Sequence, residues 1–425
     1  MSPATPHETL TSVEPGTPMH ATFSRYWWPI CLSSDLPEPD GDPRRITLMS
    51  RDYVAFRDTT GRIGLLDERC CHRSASLCLG RVADGGIRCI YHGWKYDVNG
   101  RVLDIPTVKD PKIKDLRRQQ AYSVREAGGL VWAYVGPAEL EPPFPHHPFF
   151  DVPETNRFAE IAVASSNYTR TIEGVLDSSH VGILHQDVAS AEILGDLAPM
   201  IEVANTDYGF CYAALRQVPD AAGQVETLAR ITAFALPTSV YVNASQKVLL
   251  ISVPITNDRT HFVMIFWDAV RAIGVGEERE RLRAFYGIDD RGMDYWGLGR
   301  EFHDLPDRPN KENYFRQDRV AMREKRSFSG MHRFIPEDFG VASSMGPIAD
   351  QPKQNLVHSD IAIVKMRRLL VENARNVAAG GTPTGLQPAL YPASITGRIA
   401  VGDAWTNLLK ESFTGSQPAA ASSAG

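Results

Sequence analysis

Two short limbs, Cys70-Cys71-His72 and Cys89-Ile90-Tyr91-His92, stand sixteen residues apart in a chain of 425. Each offers one thiol and one imidazole, so a fold that uses them must bring two tight loops to one point. That spacing arises by chance on the order of once in ten thousand chains of this make-up. Four of the six cysteines (70, 71, 78 and 89) fall within twenty residues, with Cys31 and Cys211 apart. In a reducing compartment such clustering reads as metal ligation rather than as disulfides. No basic start is followed by an apolar block at the N-terminus, and no run of about 18 apolar residues occurs. Neither a signal peptide nor a membrane span is predicted, and the expected location is the cytoplasm. The net charge is −6 with no long basic run, which gives no reason to expect nucleic acid as a partner.

Two thiolates on one iron and two neutral imidazoles on the other make a Rieske [2Fe–2S] centre, and Cys70, His72, Cys89 and His92 supply that set. The plainer alternative is a structural zinc site. Zinc fingers pair Cys with Cys and His with His along the sequence, whereas here each limb is mixed. Gly93 permits close backbone approach after the second limb, and Trp94 is placed to shield the centre from water. Cys71 and Cys78 are not needed as ligands and are expected to be small buried fillers.

The pattern divides the chain into a flexible N-terminus (1–20), a small all-β module (21–140), a proline-rich linker (141–155), a larger domain (156–410) and a disordered tail (411–425). Strands are predicted at 46–49, 53–56, 63–66 and 128–135, with turns at 59–61 and 97–100. Five prolines between 142 and 153 resist helix and central strand alike. Further strands are predicted at 210–217, 230–234, 248–253 and 261–265. A helix is predicted at 359–377, with apolar residues at 363, 366, 370 and 377.

Past the linker, Asp177, His180 and His185 follow one another closely. Two histidines and a distant carboxylate make the facial triad that leaves positions open on ferrous iron. On a straight helix, residues five apart point about 140° from each other and would not converge. Gly182 between them is therefore expected to mark a bend or a one-turn bulge. Glu173, Asp177 and His180 share a face. Taken alone this pattern recurs by chance on the order of once in fifty such chains. It gains weight from the first motif, because a centre that passes single electrons needs an acceptor.

Together with Gly16-Thr17-Pro18-Met19, Arg25-Tyr26-Trp27-Trp28-Pro29, Leu36-Pro37-Glu38-Pro39-Asp40-Gly41, Gly129–Tyr134, Thr206–Phe210, Gln317-Asp318-Arg319, Glu337-Asp338 and Ser344–Ile348, these motifs span nearly the whole chain. They resemble the Rieske non-haem iron aromatic-ring-hydroxylating oxygenases, in the phthalate-dioxygenase-like branch. The resemblance implies an α+β fold: an N-terminal all-β Rieske domain, then a helix-grip (START-like) catalytic domain with an antiparallel sheet. It implies Cys70, His72, Cys89 and His92 as cluster ligands and His180, His185 and Asp338 as ligands of a mononuclear Fe(II), with Asp350 and Asp360 as other candidates for the carboxylate. Asp177 matches the acidic bridge between the cluster of one subunit and the iron of the next, which implies a homotrimer or a dimer of trimers.

The same resemblance implies a terminal oxygenase component that uses O2 and NADH-derived electrons. A separate flavin and iron–sulfur reductase would deliver them, since the chain has no Gly-x-Gly-x-x-Gly fingerprint. The expected reaction is dihydroxylation of an aromatic acid or related aromatic compound. A monooxygenase, O-demethylase or aryl-ether-cleaving enzyme of the same branch is the near alternative; an electron carrier and a zinc-stabilised binding module are more distant. Two departures stand out. Cys71 occupies a usual proline position, and Cys211 stands where relatives often carry an arginine that grips a substrate carboxylate. Arg216 and Arg230 are the substitutes to consider.

Overall fold

The computed structural model describes residues 4–296, 308–331, 333–348, 350, 353–390, 392 and 394–409. A six-stranded antiparallel sheet forms first, in the order Trp27–Leu32, Leu130–Tyr134, Ala121–Ala127, Ile63–Asp67, Arg51–Arg57, Arg44–Leu48. Its strands Ile63–Asp67 and Arg51–Arg57 are joined by a turn the sequence predicts, in which Gly61 N–H closes on Asp58 O at 2.8 Å. Between Ile63–Asp67 and Ala121–Ala127 the chain leaves to form a separate four-stranded sheet, Arg81–Ala83, Gly86–Arg88, Lys95–Tyr96 and Val102–Asp104. Both cysteine–histidine limbs sit on loops of this excursion.

The larger domain is one antiparallel sheet in the order Arg157–Ala164, Arg259–Trp267, Lys247–Thr256, Ser239–Asn243, Val225–Ala235, Gly209–Pro219, Met200–Asn205; Ile395–Ile399 pairs separately with Val225–Ala235. The helices include α1 (Pro6–Thr11), α2 (Pro18–Phe23), α3 (Tyr168–Leu176), α4 (Val181–Leu184), α5 (Phe334–Ser344) and α6 (Ile361–Ala378). Helix α6 buries Ile363, Met366, Leu370 and Ala374 at helical spacing in one core with Ile231, Tyr241 and Leu249 of the sheet. Each such aliphatic side chain contributes about 1.5–3 kcal/mol. The architecture is α+β, as expected.

Two expectations change. The N-terminal segment is not a loose arm over its described residues. Thr5 caps α1 in a reciprocal box with Glu8, Thr17 caps α2, and Leu10, Val13, Met19 and Phe23 are fully buried. The apolar residues among the prolines and threonines have a partner surface in α6, which a local reading of composition cannot see. The proline-rich segment lacks strands as predicted, but its aromatic residues pack inward. Phe149 is buried, and His147 stacks on Trp132 at 5.2 Å and hydrogen-bonds the Tyr241 hydroxyl at 2.8 Å. Met49 and Ser50 N–H groups donate to Pro254 O and Ile255 O, joining the two domains directly. The tail expected at 411–425 lies outside the described residues.

Candidate metal centres

The first limb turns tightly: Ser74 N–H closes on Cys70 O at 2.8 Å, and Cys70 N–H donates to Ala75 O at 2.9 Å. The second does the same, with Gly93 N–H on Cys89 O at 3.0 Å and Cys89 N–H on Trp94 O at 2.8 Å. Gly93 has φ +77°, and a Cβ there would stand 2.6 Å from Pro106 Cγ, so both conformation and space require glycine. These turns present Cys70 and Cys89, each 2 % exposed, beneath the rings of His72 and His92, whose centroids are 4.6 Å apart. Trp94 stacks on His72 at 4.8 Å and covers that side.

Burial raises the Cys89 thiol, and Cys70 beside it adds to the rise against the pull of backbone N–H groups. Burial and the His92 ring lower the pKa of His72, favouring the neutral ring a metal needs. His92 Nδ1 is buried without a hydrogen-bond partner. Tyr96, fully buried, places its hydroxyl 3.0 Å from Cys70 Sγ and 3.5 Å from Cys71 Sγ. Cys71 itself is exposed and Cys78 half-buried, so neither is the buried filler expected. Gln119 Oε1 accepts the Cys71 N–H at 2.7 Å, which fixes the backbone at the loop tip.

In the second group, α3 stops at Leu176. Asp177 is its C-cap, with ψ 104°, and the single turn α4 then carries His180 and His185 at its two ends. The break therefore falls at 177–179, ahead of the position predicted. Gly182 serves packing instead, since a Cβ there would stand 2.6 Å from Leu197 Cδ2. His180 and His185 flank the one turn of α4 as its N-cap and C-cap, His185 with non-helical backbone at φ −100° and ψ 23°, and residues five apart converge there. The ligand atoms of His180, His185 and Asp338 all lie within 4.8 Å of one another.

Both imidazoles are held alike. His180 turns Nδ1 toward Asp177 Oδ2 at 3.7 Å and Nε2 toward Asp338 Oδ1 at 3.5 Å. His185 turns Nδ1 to Glu337 Oε2 at 2.6 Å and Nε2 to Asp338 Oδ1 at 3.1 Å. The Glu337 carboxylate hydrogen-bonded to His185 Nδ1 fixes the tautomer that leaves Nε2 free for a metal, while Asp177 stands behind the His180 ring at ion-pair distance. Burial would lower the pKa of His185, yet Asp338 and Glu337 outweigh it and raise it to about 9; in a loaded site the cation replaces that proton. Burial raises the Asp177 carboxyl, but His180 and the Ser179 N–H, which donates at 2.8 Å, leave it below its usual range. Phe334 stacks on His185 at 4.0 Å. Asp350 pairs with Lys353 at 2.6 Å and Asp360 accepts the Val357 N–H at 2.8 Å, so neither joins the triad.

A cavity of about 600 Å³ opens beside His180 and Asp338, lined also by Asp177, Val175, Phe262 and Phe339, a volume that suits a small organic molecule. Arg216 and Arg230 do not line it. Arg216 is buried and donates to Asp196 O at 2.9 Å, and Arg230 lies half-buried in the sheet opposite Thr396. Arg170 and Arg367 do line it, and neither was singled out from the sequence. Arg170 could have been found by counting back two turns along the face that ends in Asp177. Arg367, almost two hundred residues away, needs the fold.

Residues 26–122 match the Rieske [2Fe-2S] domain and residues 133–413 match the LigXa C-terminal domain like family. The chain is 35 % identical over 412 residues to the phthalate 4,5-dioxygenase oxygenase subunit of Pseudomonas putida, covering 92 % of this chain and 91 % of that one. It is 31 % identical to the 3-chlorobenzoate-3,4-dioxygenase oxygenase subunit of Comamonas testosteroni, covering 90 % and 91 %. Its fold is similar to that of dicamba monooxygenase bound to dicamba, with a TM-score of 0.60 at 18 % identity, covering 84 % of this chain and all of that one. Such oxygenases use a Rieske cluster, a mononuclear iron and NADH-derived electrons delivered through a reductase. No helix among the described residues is long and apolar enough to cross a membrane. The matched domains in their order, with the identity held along nine-tenths of the chain, make this protein a member of the Rieske oxygenases, an oxidoreductase built from a Rieske domain and a LigXa-C-like catalytic domain.

Proposed function

We propose that the chain is the terminal oxygenase of a multi-component system that dihydroxylates an aromatic acid or a related aromatic compound. In this reading Cys70, His72, Cys89 and His92 hold the [2Fe–2S] cluster, and His180, His185 and Asp338 hold ferrous iron. The observation that carries it is the convergence of two Nε2 atoms and one carboxylate at the edge of a 600 Å³ cavity. When bound, the cluster supplies single electrons and the iron supplies open positions for O2. Glu337 keeps Nδ1 protonated on His185, and the apolar wall of Val175, Phe262 and Phe339 keeps water off the reacting ring.

Asp177 has a second role in this reading. It is part-exposed beside His180, while Leu79, Ile90 and Tyr91 around the cluster loops are exposed apolar residues. A second copy covering that collar would bring His72 or His92 to Asp177, and three copies would close a ring. None of the six cysteines forms a disulfide, which supports a reducing, cytoplasmic location.

The test is product identification. The anaerobically purified protein is assayed for iron and labile sulfide, then supplied with a reductase, NADH, labelled O2 and a panel of aromatic acids. A diol with both oxygens from O2 supports the proposal. A single incorporated oxygen moves the enzyme to the monooxygenase or O-demethylase reading, and zinc without sulfide removes it from the oxygenases altogether.

A further inference from the structure

The cavity beside the triad has one end that is charged and incompletely satisfied. Arg170 is 5 % exposed, yet its Nε is buried without a hydrogen-bond partner, and Nη1 meets nothing better than Met345 Sδ at 3.5 Å. Its Nη2 pairs with Glu173 Oε2 at 2.8 Å. The other oxygen of the same carboxylate takes Arg367 Nε at 2.6 Å, and Arg367 Nη2 donates to Gln354 Oε1 at 2.8 Å. Two guanidinium groups thus share one carboxylate at this end of the cavity, and the other acids lining it are engaged elsewhere: Asp177 and Asp338 with His180, and Asp360 with the Val357 N–H. The neighbouring Lys353 is paired with Asp350. A buried, under-bonded guanidinium seeks a planar anion.

Position fixes the size of that anion. Arg170 and Asp177 are seven residues apart along α3, so they are separated by about 10 Å of helix rise on nearly the same face. Apolar side chains, among them Val175, Phe262 and Phe339, line the cavity whose charged ends these groups mark.

We propose that Arg170, backed by Arg367, is the specificity-determining anchor of this cavity, holding the carboxylate of a one-ring aromatic acid so that its ring faces His180 and Asp338. The inference rests on reading this cavity as the substrate chamber. It moves the anchor from the sheet, where Cys211 has no charge to offer, to the helix that leads into the metal site. Glu173 is then a competitor: it occupies Nη2 of Arg170 and Nε of Arg367, and sets how strongly an incoming carboxylate is held.

The experiment is calorimetric titration of the iron-loaded, anaerobic protein with benzoate and with its neutral isostere benzamide. The unaltered protein prefers benzoate by about tenfold or more, the range of charge-assisted hydrogen bonds. Arg170→Gln removes that preference by weakening benzoate alone, and Arg170→Lys restores part of it. Glu173→Gln acts in the opposite sense and strengthens benzoate, a gain that general damage to the fold would not produce. The proposal is overturned if benzoate does not bind at millimolar concentration, if benzoate and benzamide bind equally, if the Arg170 variants change both in parallel, or if Glu173→Gln weakens benzoate. Iron and sulfide content of the same preparations reports separately on the oxygenase reading, so failure of one is not mistaken for failure of the other.

Discussion

Glu337 Oε2 lies 2.6 Å from His185 Nδ1, while its other oxygen accepts the Ser329 hydroxyl at 2.5 Å. The carboxylate is 4 % exposed and adjoins Asp338 in the same helix, α5. One helical turn therefore supplies both a triad oxygen and the group that orients a triad nitrogen. Glu337→Gln can offer an N–H to Nδ1 and so favour the wrong tautomer. Iron affinity should fall on the order of 10- to 100-fold with the fold intact. Ferrous titration alongside a thermal melt checks this; unchanged affinity would remove Glu337 from the site.

The Tyr96 hydroxyl, 3.0 Å from Cys70 Sγ, can only donate to a thiolate, and burial with the nearby thiols raises its pKa so that it keeps its proton. Such a donor stabilises the more electron-rich, reduced state. Tyr96→Phe should lower the midpoint potential by about 40 mV for each kcal/mol lost in a one-electron couple. Redox titration followed by visible absorption reads the shift, and equal potentials in the two proteins would show that the hydroxyl does not sense the cluster charge.

For Asp177→Asn both metal centres should load normally, because Asp177 Oδ2 stands 3.7 Å from His180 Nδ1, beyond hydrogen-bond distance, and Asp177 is not one of the three ligands. Reoxidation of the reduced cluster in the presence of O2 and substrate should slow on the order of a hundredfold. Stopped-flow absorption follows it directly. Single-turnover rates equal to those of the unaltered protein would refute the bridging role.

His147 gives a prediction about stability rather than turnover. It is 2 % exposed, and burial, with His146 nearby, lowers its pKa to about 3. The unfolded chain takes up a proton at this residue near the ordinary value of about 6.5, and the folded chain does not. Between about pH 3 and 6.5 the unfolded state thus binds more protons, and stability falls as pH falls, by up to about 1.4 kcal/mol per unit. His147→Gln should flatten that part of the profile in denaturant titrations from pH 4 to 7. An unchanged slope would mean that His147 is not the group responsible.

Much of the molecule is legible in its sequence because chemistry at close spacing leaves a local mark. His180, His185 and Asp338 come together in the fold, and the strands over 44–67 and 209–267 follow their alternating or β-branched runs. The misses share a cause. Strands Trp27–Leu32 and Ile395–Ile399 owe their conformation to a distant pairing partner, and α1 and α2 owe theirs to α6. Arg170 and Arg367 meet across 197 residues at Glu173, a relationship that no window of sequence contains. The bend was assigned to glycine, the usual suspect, whereas Asp177 breaks the helix with its own backbone and uses its side chain toward His180.

The one-turn helix between His180 and His185 has a consequence for inheritance. Its two imidazoles converge because the turn is the length it is, with a break in front and a cap behind. Ile183, exposed on its outer side, is free to vary. A single inserted or deleted residue between 180 and 185 would swing one ring about 100° from the other. Across descendants of this chain, the count of residues in that stretch should drift more slowly than their identities.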